Sequence, residues 1–180
     1  MTELALHILD IVQNSISAKA SLIEIIINED VKNDKLTIEI IDNGKGMSEK
    51  DVQNATDPYF TSRTTRKVGM GIPLFKQATV QCAGSFALKS QKGKGTQVTS
   101  ILQLTHIDRQ PLGDIAGTMA LLVSSNPGID FVYRHINNKN EYLFDTHEVK
   151  AELGEVLITN PKVTKFIKEM IQENLNEITQ

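Results

Sequence analysis

Residues 40–47 read I-I-D-N-G-K-G-M. An apolar strand here delivers Asp42 to a turn in which Gly44 and Gly46 leave the main chain uncovered. A carboxylate buried at a strand end needs a hydrogen-bond donor, and the exocyclic amine of adenine is one. The two glycines would let a flat ring lie against bare backbone. Asp-Asn-Gly also makes an ordinary turn, so the neighbouring segments decide between the two readings.

Composition narrows the field. At 180 residues and 20.0 kDa the chain suits one domain, or one domain with an appendage. A hydrophobic share of 40% beside 23% charged residues is globular, and 5% aromatic with no Trp implies an aliphatic core. Net charge of −3, with a pI near 5.8, gives no global field to draw in nucleic acid or an acidic membrane. A single cysteine, Cys82, excludes an internal disulfide framework and a multi-cysteine metal site, and its apolar helical surroundings give it a packing role. The opening M-T-E-L-A-L-H-I-L-D has no basic region and is broken by charge, unlike a signal peptide. No apolar run approaches the ~20 residues of a membrane span. These features predict a cytoplasmic protein without nucleic-acid or membrane partners.

Working outward from residue 40, Thr2 is placed to cap a first helix with Leu4, Ile8, Leu9, Ile11, Val12 and Ile16 on its inner side. Residues 22–27 and 35–41 are β-branched strands, and the polar stretch between them predicts an antiparallel hairpin. Ser48 caps a short helix, with Asp51 at its third position. Residues 56–69 read as a loop, and Pro73 sits just inside a helix running to about 82. Two more strands follow at about 84–91 and 96–104. Helix, two strands, helix, loop, helix, two strands makes an α/β two-layer sandwich, with helices on one face of a mixed, mainly antiparallel sheet. Past Gln110 the pattern changes to a helix over 111–124, a hairpin over 129–136 and 140–145, and a closing helix capped by Asn160. That last helix carries an apolar stripe from Val163 to Ile178. The chain divides by this reading into residues 1–108 and a small α+β C-terminal appendage, 109–180.

Three further segments bear on chemistry. Asp10 and Asn14 lie four apart on the first helix, so both side chains leave one face. An Asn oxygen suits Mg²⁺ and a nearby carboxylate suits a water, while a solvated helix face would use the same residues. The loop F-T-S-R-T-T-R-K-V-G-M-G-I-P, 60–73, gathers hydroxyls, Arg63, Arg66 and Lys67 before Gly69 and Gly71 at a helix start. Bare amides there form an anion site, and guanidinium forks add charge-assisted bonds. Finally G-K-G-T, at 93–96, is either a plain strand turn or a device that sets Thr96 beside Asp42.

In this order the four elements resemble the nucleotide-binding domain shared by gyrase, heat-shock chaperones of the ninety-kilodalton class, histidine kinases and mismatch-repair MutL, the GHKL superfamily. The resemblance covers about residues 2–105. D-I-V-Q-N-S-I-S-A-K-A looks like the N box, I-D-N-G-K-G-M like the first glycine box, and D-P-Y-F-T-S-R, V-G-M-G-I-P and G-K-G-T like the phenylalanine box and later glycine boxes. It implies ATP and Mg²⁺ as cofactors, with Asn14 on the metal and Asp42 on the adenine amine. Gly44, Gly46 and Met47 would line the base, Thr96 would share its network, and Phe60 would pack the hinge of a short lid at about 61–68. Ser62, Arg63, Gly69, Met70, Gly71 and Ile72 would meet the rest of the nucleotide, Arg63 and the Gly69–Gly71 amides at its phosphates. Hydrolytic members carry Glu where Asp10 stands, which implies slow hydrolysis here. Ser17 replaces a charged residue, and the N box begins within ten residues of the start, so no upstream hairpin is expected to carry a phosphoacceptor histidine. His7 is expected on the solvent side of the first helix and His147 on a capped surface helix, while His106 and His135 carry no partner pattern. The functional expectation is a Mg·ATP-binding regulatory protein, acting as a kinase on a protein partner or as a slow ATPase. An ATP-driven switch or a sensor without turnover is the alternative. The closing helix is expected either to dock on the exposed face of the ATPase sheet or to serve a homodimer or partner interface.

Overall fold

The computed structural model describes residues 2–57 and 70–179. Its centre is the expected hairpin of β1 (Leu22–Asp30) and β2 (Lys35–Asp42), paired antiparallel from Ile23↔Asp42 to Asp30↔Lys35. β-Branched residues fill both strands, which suits a pleated surface. Strict alternation puts Ile23, Ile25, Ile27, Leu36, Ile38 and Ile40 on one buried face. β4 (Gly95–Gln103) pairs antiparallel with β2, and β3 (Ser85–Gln91) with β4.

On the other side the sheet continues. β5 (Asp130–Asn137) runs parallel to β1, and β6 (Asn140–Asp145) closes the edge, giving the order β3-β4-β2-β1-β5-β6. The predicted hairpin at 129–145 is therefore part of the same sheet. The expected boundary at 108 falls in the connection before α4 (Ile115–Ser125), and one sheet runs across it. A buried polar chain fixes this seam. Glu29 of β1 accepts from His135 Nε2 at 2.7 Å, and the Tyr133 hydroxyl meets His135 Nδ1 at 2.7 Å. Burial pushes the Tyr133 hydroxyl well above its ordinary pKa, so it keeps the proton it donates.

The helices cover the inner face. α1 (Leu4–Ser17) packs on β2 and α3 (Gly71–Gln81) on β3 and β4, the two helices in contact, while α4 packs against α1 and the closing helix. Thr2 is not the cap of α1. The N-cap is Glu3, without a side-chain bond, and the amides of Leu4 and Ala5 instead donate to the carbonyls of Pro111 and Leu112, each at 2.9 Å. Backbone from beyond residue 108 thus closes the helix start. α2 (Glu49–Ala55) has the expected capping box of Ser48 and Asp51. α5 (Thr146–Leu153) is capped by Asp145, with His147 exposed as expected. α6 (Pro161–Ile178) starts at Asn160 as expected and buries Val163, Ile167 and Ile171 against α4 and the β5–β6 hairpin. Its stripe is only partly consumed, because Phe166 remains 61% exposed. No described helix is long and apolar enough to cross a membrane.

Candidate functional site

Asp42 ends β2 with 7% of its surface exposed. Its neighbours across the ladders are Ile23 and Thr96. Both carboxylate oxygens are engaged from below: the Gly44 amide donates to Oδ1 at 2.8 Å and the Ser15 hydroxyl to Oδ2 at 2.6 Å. Ser15 was not among the residues expected here. It sits one place beyond Asn14 on α1 and is itself buried.

The turn after Asp42 is tightly held. Asn43 accepts from the amides of Ser21 and Leu22, and the Lys45 amide donates to the Ala18 carbonyl. Glycine is required at Gly46, whose φ is +66° and whose absent Cβ would stand 2.0 Å from the Gln91 carbonyl oxygen. Gly95 is forced likewise: at φ +105° an added Cβ would lie 1.8 Å from the Asp42 carbonyl oxygen. The G-K-G-T turn therefore presses against the Asp42 turn, and the Gly93 amide donates to the Lys45 carbonyl at 2.8 Å. Ser90 links the two, accepting from the Met47 amide at 2.8 Å and standing 2.9 Å from the Thr96 hydroxyl.

These pieces surround a pocket that is open on one side. Asn14, Asp42, Gly46, Met47, Ile72 and Thr96 line it. Ile11, Ile40 and Val98 add apolar wall, and Ser15, Ser17, Ala18 and Lys45 complete the lining. The pocket thus has aliphatic walls and one carboxylate at its base. Gly44 lies just outside this lining, where a Cβ would be 2.9 Å from the Cβ of Ala18.

Asp10 stands one turn before Asn14, beside the start of α3. A Cβ on Gly71 would come within 2.9 Å of the Asp10 Cβ, so only glycine lets the two helices approach so closely. α3 begins at Gly71, with Met70 as an N-cap that makes no side-chain capping bond. Pro73 has no N–H, so the first turn offers the amides of Gly71 and Ile72, and Gly71 lies beside Asp10. The Asn14 side-chain nitrogen is buried and has no partner among the described residues. Phe60, Ser62, Arg63 and Gly69 lie outside the described residues.

His7 departs from its expected place. It is 2% exposed, stacked on Phe75 with ring centroids 5.2 Å apart, and its Nε2 lies 3.0 Å from Gln110 Oε1. Burial lowers its pKa below the ordinary histidine value. It faces the core, away from solvent.

Known proteins are similar to this chain. A putative sensor protein of Shewanella frigidimarina (strain NCIMB 400) is 30% identical over 103 residues, 56% of this chain and 16% of its own. Sporulation kinase D of Bacillus subtilis (strain 168) is 26% identical over 98 residues, 54% of this chain and 19% of its own. The matched stretch is thus less than a fifth of either relative. Among solved structures, the N-terminal domain of a DNA repair protein superposes with a TM-score of 0.55 at 21% identity, over 79% of this chain and 52% of that one. The Aquifex aeolicus MutL ATPase domain complexed with ADP gives 0.52 at 15% identity, over 83% and 68%. At those identities the likeness is one of fold, and it extends past the sheet's first four strands. The family model described as histidine kinase-, DNA gyrase B- and HSP90-like ATPase matches residues 2–106, so by sequence as well as by fold this chain belongs to that ATPase family.

Proposed function

We propose that this chain binds Mg·ATP in the Asp42 pocket and acts as a regulatory kinase on a protein partner, with hydrolysis as a slow side reaction. One observation carries the nucleotide reading: a buried carboxylate, pinned by Ser15 and Gly44, at the base of an apolar pocket whose other wall is Thr96. The carboxylate has lone pairs beyond the two already used, and an adenine amine would take one.

The donor set fits a hard cation. Asn14 lines the pocket, where its side-chain oxygen is the atom a cation would take, and Asp10 stands one turn away. No cluster of three His, Cys, Asp or Glu side chains occurs among the described residues. A site with one protein oxygen suits Mg²⁺, which is commonly held by few side chains together with substrate phosphates and water. Asn14 would hold the ion, which supplies charge neutralisation at the phosphates when bound. The α3 amides would hold phosphate oxygens, and the Asp10 carboxylate would orient a water or accept a proton. A carboxylate shorter than Glu reaches less far, which favours transfer to a partner over water. The relatives named as a sensor protein and a sporulation kinase support the same choice.

The test is incubation with γ-labelled ATP, Mg²⁺ and lysate of the source cells, following free phosphate and labelled protein together. Label on a partner, absent with Asp42→Asn, is the expected result. Free phosphate alone would make the protein an ATPase, and neither product would leave a nucleotide-dependent switch. Asn14→Ala should abolish the Mg²⁺ dependence of ATP binding while leaving metal-free adenosine binding nearly intact; unchanged Mg²⁺ dependence would refute the metal assignment.

A further inference from the structure

The charges of α6 run against its own dipole. Lys162 stands in the first turn and Glu177 in the last, with no acidic residue at the start and no basic residue at the end. A helix is stabilised by the opposite pattern. Lys165 and Lys168 share the N-terminal half with Lys162, Glu169 stands at the middle, and Glu173 shares the C-terminal half with Glu177. Internal pairing relieves only part of this: Lys168 meets Asp114 at 2.8 Å and Lys165 meets Glu169 at 3.7 Å. Lys162, Glu173 and Glu177 make no ion pair among the described residues, and all three are exposed.

The unpaired charges bracket an uncovered apolar pair. Lys162, Phe166, Met170 and Glu173 are spaced four, four and three apart, so they form one stripe along the helix. It flanks the face that Val163, Ile167 and Ile171 bury in the core. Phe166 is 61% exposed in this stripe and Met170 only partly covered. Read from its N-terminal end the stripe is basic, apolar, apolar, acidic. Such an order is complementary to itself when reversed.

We propose that a second copy of this chain docks on α6, the two helices antiparallel about a two-fold axis near the level of residue 168. Phe166 of each copy packs on Met170 of the other, and Lys162 of each faces Glu173 of the other. The two-fold repeats every contact, as a closed dimer requires. Each helix start then lies beside its neighbour's acidic end, which offsets the unfavourable dipole placement. The contact is small and rimmed with charge, so association on the order of 10 µM is expected.

The full chain is tested by sedimentation velocity over a concentration series. The parent should move between monomer and dimer. Lys162→Glu and Glu173→Lys, made singly, should each weaken association about tenfold or more by setting like charges opposite one another. Combined in one chain they should restore it to within about threefold, because the pair is exchanged intact. Phe166→Ala should also dissociate the dimer. Each charge reversal improves the fit to the helix dipole, so neither monomer should melt lower than the parent. A parent that stays monomeric at every concentration, or a double reversal that fails to restore association, overturns the proposal. So does association indifferent to the single reversals.

Discussion

At the scale of single residues, the site rests on how few hydrogen bonds Asp42 has spent. Its two bonds, from Gly44 and Ser15, orient the carboxylate and leave acceptor capacity toward the pocket. Asp42→Asn should weaken ATP binding by about 2–4 kcal/mol, since a charge-assisted acceptor is lost and an amide donor is turned on the ligand's own donor. Ser15→Ala should cost less, about 1 kcal/mol, by freeing one oxygen from its anchor. Calorimetric titration of both variants and their double would show coupling between them if Ser15 acts through Asp42; full additivity would separate the two. Asp42 was legible in the sequence because strand, carboxylate and glycines are contiguous. Ser15 was not, since a serine inside a helix reads as neutral. The available signal was its place between Ile11, Val12 and Ile16, on a side of α1 that has to be buried.

Asp10 can be probed at the same scale. Its Cβ abuts Gly71 while its carboxylate is one methylene shorter than the glutamate of hydrolytic relatives. Asp10→Glu should raise ATP turnover by about tenfold or more, and Asp10→Asn should remove it. Equal rates for all three proteins would exclude Asp10 from the chemistry.

At the scale of elements, α1 shows what a helical pattern settles and what it leaves undecided. The apolar positions at 4, 8, 11 and 12 point inward as their spacing requires. His7 shares that face, but whether a histidine is buried depends on a partner, and Gln110 lies 103 residues away. The same distance problem hid the helix start, where Thr2 looked like a cap while the backbone of Pro111 and Leu112 does the work. His7 has a consequence in pH. Burial lowers its folded pKa, so the neutral form is the one the fold accommodates. In the unfolded chain the ring takes up a proton near pH 6.5. Its contribution is complete above that value and is lost as pH falls toward the folded pKa, because the unfolded state then binds more protons. His7→Phe keeps a ring on Phe75 and removes the titration. Its melting temperature should fall less than the parent's between pH 7 and pH 5. Parallel slopes would show that acid sensitivity in this window comes from other groups.

At the scale of the whole molecule, the sheet joins what the sequence separates. Local chemistry made the first four strands and their helices readable in order, because turns close the β1–β2 and β3–β4 hairpins and the helices carry their own periodicity. The pairing of β5 with β1 is parallel and spans roughly a hundred residues, and no turn residue announces such a contact. A change of pattern after Gln110 therefore reads as an appendage, while the structure uses it to complete the sheet. The energetic stake is large. Without residues 109–180, β1 would lose its parallel neighbour along Leu22–Glu29, Glu29 would lose His135, and two amides of α1 would lose their carbonyl partners. Ile23, Ile25 and Ile27 would lose Phe131 and Tyr133 from the same buried face. A fragment of residues 1–108 should accordingly lose several kcal/mol, enough to lower its melting temperature by more than about 15 °C or to abolish a cooperative transition. Circular dichroism on the fragment and the full chain measures this directly, and hydrogen exchange should locate the new opening at the β1 amides. If the fragment instead melts cooperatively at the parent's temperature, the sheet's last two strands are a dispensable addition and the division at residue 108 is a true domain boundary.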